Sequence, residues 1–449
     1  TVHSVQCASP APSSPNPSSL ERPRMRYTPA DIARLLGQKF SPTDEQADVI
    51  SAPPGPLLVI AGAGAGKTET MAARVVWLVA NGYVRPDQIL GLTFTRKAAQ
   101  QLGQRIRQRL QRLAASPDFT GPEADQIRHA IHTSDPDTAT YDSYAGTILR
   151  SYGLLLPVET TATIVNAAEL SEEAVRLVSQ WPHPFAVERT TSSVVNDLLG
   201  LRGEMANHMV DSATVRAENR CLREGLTDLP KAKRARSDLS KDMRDFLSVC
   251  DYRDQLLDLI DLFDNRMREM GYLDFGQQMA YAAELALTHP QVGHSERARY
   301  RVVLLDEYQD TGYAQRVFLR SLFGNGQDPT LSVTAVGDPM QSIYGWRGAS
   351  ATNLAHFRTD FPAVTTDTPT AQPAPVSYLL TSWRNPGDIL SLASTYTHRL
   401  SAATRNAIVV PDLRPAPHAA EADIHCRYFG SAEDEYTWIA RYFRSQFDA

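Results

Sequence analysis

Cysteine is scarce in this chain: Cys7, Cys221, Cys250 and Cys426 are the four among 449 residues. None is spaced as a pair. That excludes a disulfide scaffold, argues against a zinc or iron–sulfur centre, and fits a reducing cytoplasm. Long apolar runs are missing too; no stretch reaches the roughly 18 residues that would cross a bilayer. The first residues lack an apolar core with a cleavage site, so no secretory signal is expected. An excess of positive charge is also absent. With 45 Lys and Arg against 51 Asp and Glu the net charge is −6, so any surface for nucleic acid must be local. Core-forming residues are plentiful, at 42% hydrophobic, enough for about two to four domains in a chain of this length.

The chain is organised around Ala61-Gly62-Ala63-Gly64-Ala65-Gly66-Lys67-Thr68, between the apolar run Pro56–Ile60 and a helix-like stretch from about Glu69 to Asn81. Strand, glycine-rich loop and helix suit a phosphate. Glycines let backbone N–H groups converge on an anion, and the helix dipole adds to the attraction. Lys67 would reach the outer phosphates and Thr68 would hold a magnesium ion. An ordinary Gly/Ala-rich turn is the alternative.

Residues 1–26, rich in Pro and Ser, read as a disordered tail. Thr28 to Leu36 reads as a short helix capped by Thr28. In Phe40–Gln46, Ser41 or Thr43 can cap a helix carrying Gln46. The Gln46 amide suits an adenine edge, or faces solvent. Ile89–Phe94 reads as a second buried strand. The next helix, Arg96 to Leu113, holds Arg96, Lys97, Arg105, Arg107, Arg109 and Arg112 and no acid. Beside Phe94 this cationic face suits a single nucleic-acid strand, whose bases stack and whose phosphates pair. A solvated basic helix over a core Phe is the alternative. Residues 115–140 read as polar loop. From about 165 to 290 apolar residues recur at helical spacing, Leu256, Leu259, Ile260 and Phe263 among them. Lys231–Arg236 is a second cationic cluster, for nucleic acid or as a solvated helix face.

Strand signals return at Arg301–Leu305 and end in Asp306-Glu307. After a lysine loop this pair reads as a magnesium ligand, Asp306, and a group that orients and deprotonates water, Glu307. Capping a helix is the alternative. The strand Leu331–Asp338 runs into Pro339–Ala349. There Gln341 is placed to sense a terminal phosphate, and Tyr344, Trp346 and Arg347 offer stacking faces and a cation. One loop would thus join nucleotide to strand, unless the aromatics are core residues. Residues 362–375 read as a hinge. Val376–Leu380 reads as a strand, followed by Thr381–Pro386, a helix from about Gly387, a strand over Ala422–Phe429 and a helix to Phe447. Trp383 would stack on adenine and Arg384 would reach the terminal phosphate.

In order and spacing, residues 38–449 resemble the UvrD/Rep-type superfamily 1 DNA helicases. Phe40–Gln46 is similar to the family's Q motif, Ala61–Thr68 to its phosphate loop, and Thr93–Ala99 to motif Ia, with Arg96 for the usual Asn. Thr140–Tyr144 is similar to the next DNA-contact motif, with Tyr141-Asp142 for Phe-His. Leu273–Phe275 resembles the return into the first motor domain. Asp306–Asp310 resembles motif II, Gln341–Ala349 motif III, and Ser382–Asn385 motif IV with Trp383 for Tyr. The variants at 140–145 and 381–386 resemble the actinobacterial AdnB-type helicase–nuclease subunit.

The resemblance implies an α/β fold. A RecA-like P-loop domain with a parallel sheet would occupy 27–115 and 273–365, a helical insertion 116–272, and an incomplete second RecA-like domain 366–449. It implies a cytoplasmic, ATP-dependent DNA helicase or translocase running 3′-to-5′ in repair or recombination. ATP and Mg2+, single-stranded and duplex DNA, and a helicase–nuclease subunit would be its ligands and partners, with no membrane. Gln46, Ala61, Gly62, Ala63, Gly64, Ala65, Gly66, Lys67, Thr68 and Trp383 would bind ATP. Lys67, Asp306, Glu307, Gln341 and Arg384 would serve hydrolysis, with Thr68 and Asp306 on the metal. Phe94, Arg96, Tyr141, Tyr344, Trp346 and Arg347 would serve DNA. The family's later motifs, an arginine among them, are not found in this stretch, so hydrolysis by it alone is expected to be weak. The competing classes are a non-motor DNA-binding or scaffold subunit and a P-loop ATPase acting on protein.

Overall fold

Short apolar runs become the strands of one parallel sheet. A computed structural model describes residues 26–157, 161–228, 239–326, 328–350, 352–364, 370–403, 408–422 and 424–448. The expected tail, save residue 26, and the Lys231–Arg236 cluster lie outside the described residues. The strands are β1 (Leu57–Ala61), β2 (Ile89–Thr93), β3 (Asp137–Thr140), β4 (Val302–Leu305), β5 (Ser332–Gly337) and β6 (Val376–Leu379). They stand in the order β3-β2-β4-β5-β1-β6, each pair parallel.

β1, β2, β4 and β5 are buried along their length, because helices cover both sheet faces. Successive side chains serve opposite cores. Leu58, Ile60, Leu92 and Leu305 pack with the helices Tyr141–Tyr152, Phe275–Thr288 and Tyr313–Phe323. Leu57, Val59, Ile89 and Leu304 pack with Asp44–Ser51, Lys67–Ala80 and Arg96–Ala115. Each such side chain contributes about 1.5–3 kcal/mol by leaving water.

Arg74, on the helix Lys67–Ala80, is fully buried. Its guanidinium donates to the carbonyls of Val49 at 2.9 Å, Ile50 at 3.2 Å and Ala52 at 2.7 Å, and to Thr334 Oγ1 at 3.2 Å. It thereby satisfies the end of the helix Asp44–Ser51 and ties it to β5. Burial pushes its pKa down to about 10.

Three expected segments come out differently. Val376–Leu380, expected to open a second domain, supplies β6, an edge strand of the first sheet; Val59 lies opposite Ser377, and Leu379 is buried among the β1 residues. Residues 115–140, expected as loop, hold the helix Ala124–Thr133 and β3. Asp-Thr-Ala-Thr carries no apolar signal because this edge strand is only half buried. Residues 424–429 form no strand. Ile424 is 45% exposed and Tyr428 99%, so no buried face fixes a register there. The remaining helical stretch, Ala167–Ser179, Thr191–His208, Ser212–Thr227 and Lys241–Glu269, shares a third core around Leu257, Leu259 and Phe263. Among the described residues no helix is long and apolar enough to cross a membrane.

Candidate nucleotide and strand-binding site

Because the six strands run the same way, the loops after β1, β2, β4, β5 and β6 emerge at one edge of the sheet, where open α/β sheets bind ligands. The loop after β1 turns through Gly64 (φ +75°) and Gly66 (φ +80°), left-handed conformations that favour glycine. It delivers Lys67 and Thr68 to the first turn of their helix.

The segment after β6 lies directly on this loop. A Cβ on Gly64 would stand 2.6 Å from Arg384 Cβ, and one on Gly62 would stand 2.5 Å from the Leu413 side chain. Ser382 Oγ donates to Ala63 O at 2.9 Å, and the Trp383 N–H donates to Gly64 O at 2.9 Å. Trp383 and Arg384 are exposed beside the loop. On the other side, Gln46 Nε2 lies 3.2 Å from where a Cβ on Gly66 would be. Its Oε1 is engaged in capping its own helix, accepting from the Thr43 N–H at 3.2 Å. Glu45, which sequence reasoning missed, accepts from the Leu380 N–H at 2.8 Å and the Thr381 N–H at 3.3 Å.

After β4 the backbone of Glu307 takes φ +50°, uncommon for a residue with a Cβ and a mark of local constraint. The Glu307 carboxylate accepts from Lys67 Nζ at 2.8 Å and from Gln309 Nε2 at 2.9 Å. Gln309 is buried, and its Oε1 accepts from the Asp338 N–H at 3.1 Å. Gln341 Nε2 in turn donates to Asp338 Oδ2 at 2.6 Å. One hydrogen-bonded chain, Lys67–Glu307–Gln309–Asp338–Gln341, therefore crosses three strand ends. Gln309 is the second residue that the sequence reading left without a role. Burial, and then the charge of Glu307, pushes Asp306 up to about 6 and Asp310 up to about 6. Such carboxylates favour the arrival of a cation.

The loop that begins at Gln341 ends in an aromatic row. Phe94, just past β2, stacks on Tyr344 with ring centroids 5.3 Å apart and planes 21° apart. Trp346 lies 6.4 Å from Tyr344 and is 72% exposed. Arg96 is exposed close to Phe94 in sequence, and the Arg347 side chain lies outside the described positions.

Two expected strand contacts are corrected. Tyr141 is buried, and its hydroxyl donates to Asp306 O at 2.9 Å, so here it supports the carboxylates from inside the core and is not at the surface. The cationic face is also smaller than the sequence suggests. Arg109 is buried in an ion pair with Glu69, and Arg105 reaches the same carboxylate at 3.6 Å. The acid comes from a neighbouring helix, so the basic helix alone gives no sign of it.

Residues 42–362 match the family model of the UvrD/REP helicase N-terminal domain. The chain is 28% identical over 343 residues to ATP-dependent DNA helicase UvrD1 of Mycobacterium leprae, an alignment covering 75% of this chain and 38% of that protein. It is 27% identical over 342 residues to DNA helicase II of Rickettsia typhi, covering 74% and 42%. Against ATP-dependent DNA helicase PcrA of Staphylococcus aureus it is 26% identical over 323 residues, covering 72% and 36%. The matched stretch spans about two fifths of these relatives. With 42–362 matched and the motif loops gathered at one sheet edge, the chain belongs to the UvrD/Rep helicase family.

Proposed function

We propose that the chain supplies the ATP-hydrolysing core of a DNA helicase or translocase motor of the UvrD/Rep type. The observation that carries this reading is the hydrogen-bonded chain from Lys67 to Gln341, whose far end continues into the loop of Tyr344 and Trp346. Nucleotide end and strand end belong to one connected unit.

In this reading residues 61–68 cradle the phosphates, and Gln46 and Trp383 take the adenine. Lys67 leaves Glu307 for the outer phosphates. Glu307 is then released to orient and deprotonate the attacking water. Gln341 follows the terminal phosphate, and Arg384 approaches it from the segment after β6. The raised pKa of Asp306 suits a Mg2+ held by Asp306 and Thr68; the ion would offset phosphate charge. Bases would stack on Phe94, Tyr344 and Trp346, with Arg96 and Arg347 near the phosphates.

The reading takes 27–115 and 273–365, together with β3 and β6, as the first RecA-like domain. Residues 116–272, apart from β3, would be its helical insertion, and the segment after β6 would begin a second domain. Polarity 3′-to-5′, a role in repair or recombination, and an AdnB-type helicase–nuclease partner rest on the family resemblance alone. The test is ATP hydrolysis with and without single-stranded DNA, beside Lys67→Ala. Stimulation that disappears in the variant supports the motor. Absence of both ATP and DNA binding overturns it.

A further inference from the structure

Glu45 sits in the first turn of the helix Asp44–Ser51. Its Oε2 accepts from the Leu380 N–H at 2.8 Å, the Thr381 N–H at 3.3 Å and Thr381 Oγ1 at 3.5 Å. β1 ends opposite Leu379, so beyond that point the chain leaving β6 no longer pairs with β1. Its next N–H groups need another acceptor, and a carboxylate is a strong one. Immediately past this grip the chain rests on the phosphate loop through Ser382 and Trp383. It also pairs there with Arg414 and Pro415, next to the Leu413 that covers Gly62. Glu45 thus fixes the point from which Trp383 and Arg384 are presented, and does so from the residue adjoining Gln46.

We propose that Glu45 is a positioning residue for the nucleotide. It acts through Leu380 and Thr381 to hold Trp383 and Arg384 against the phosphate loop. This rests on the nucleotide reading of the site given above.

The experiment titrates Mg–ADP into the 449-residue chain by calorimetry. The proteins are wild type, Lys67→Ala, Glu45→Ala, Glu45→Gln, Trp383→Ala and the Glu45→Ala/Trp383→Ala double variant. A wild type that does not bind, or a Lys67→Ala variant that binds equally well, removes the nucleotide reading and this proposal with it. With Lys67→Ala weakened, Glu45→Ala is expected to bind about tenfold more weakly, the scale of a lost hydrogen bond to a charged group. Glu45→Gln keeps an oxygen acceptor and should stay within roughly threefold of wild type. The double variant should bind no more weakly than Trp383→Ala, because the two residues act as one unit. Wild-type affinity in Glu45→Ala, or full additivity in the double variant, overturns the proposal while leaving the nucleotide site standing.

Discussion

Gln309 holds Glu307 by its amide nitrogen, at 2.9 Å, while its amide oxygen accepts the Asp338 N–H at 3.1 Å. The residue that would work on water is therefore braced against the loop that carries the aromatic row. Gln309→Leu keeps the volume, removes these two bonds and a third, from Nε2 to Asp310 Oδ2 at 3.3 Å, and leaves a buried N–H without an acceptor. The expected cost is about 1–3 kcal/mol of stability. DNA-stimulated ATP turnover should fall about tenfold or more, while ATP affinity, which in the proposed reading would rest on Lys67 and the phosphate loop, should stay near wild type. Urea denaturation and a split of kcat from KM check the two arms.

What the sequence reveals and what it hides divide along a physical line. The phosphate loop, the Asp306-Glu307 pair and the aromatic row need special residue types in local order, so each can be read from a few neighbouring letters. Their convergence follows from strands that all run one way. Glu45, Gln309 and Arg74 act over sequence separations of 335, 29 and 260 residues, and no local pattern encodes such partners. β3 escaped for a different reason: an edge strand of Asp, Thr, Ala and Thr has no apolar run to announce it.

Arg74 should be among the most sensitive core positions. Arg74→Leu would strand the carbonyls of Val49, Ile50 and Ala52 together with Thr334 Oγ1 in a dry interior. A loss of roughly 3–5 kcal/mol is expected. Arg74→Lys, with three donors instead of five, should recover only part of it. Urea midpoints at constant m-value measure both.

Asp310 sets a pH dependence. Burial and Glu307 raise it from 3.8 to about 6, and its Oδ1 has no hydrogen-bond partner among the described residues. The folded state thus binds this proton more tightly than the unfolded state does. The contribution of Asp310 to stability therefore falls as pH rises from about 4 to about 6, and the cost is complete above that. Asp310→Asn should raise the melting temperature at pH 7.5 by something on the order of 2 °C. In metal-free buffer the gain should shrink through pH 6 and disappear near pH 4. A gain that stayed constant with pH would contradict the assignment.

Stacking and charge should separate in DNA binding. Trp346→Ala removes a largely exposed ring from the row with Tyr344 and should weaken single-stranded DNA binding by about 1–3 kcal/mol. The dependence of affinity on salt should not change, because no phosphate contact is lost. Arg96→Ala should have a smaller effect at low salt but lower the salt slope by about 0.7. Fluorescence titrations at several salt concentrations separate the two.

Tyr141 provides the sharpest contrast between a motif and a side chain. Its place in the stretch 140–144 suggests a DNA contact, yet the ring is in the core and the hydroxyl donates to Asp306 O at 2.9 Å. Burial and the nearby carboxylates, Asp306 first, raise its pKa well above the ordinary tyrosine value, so the hydroxyl remains a donor throughout the working pH range. Tyr141→Phe keeps the ring and deletes that one bond. Stability should fall by about 1–3 kcal/mol, since the Asp306 carbonyl is left without this donor. Single-stranded DNA affinity should be unchanged. ATP turnover should fall modestly, because the backbone beneath the carboxylate pair loses a brace. Weaker DNA binding at unchanged melting temperature would mean that Tyr141 reaches the surface in the working protein and that its seat under Asp306 is not the one that matters.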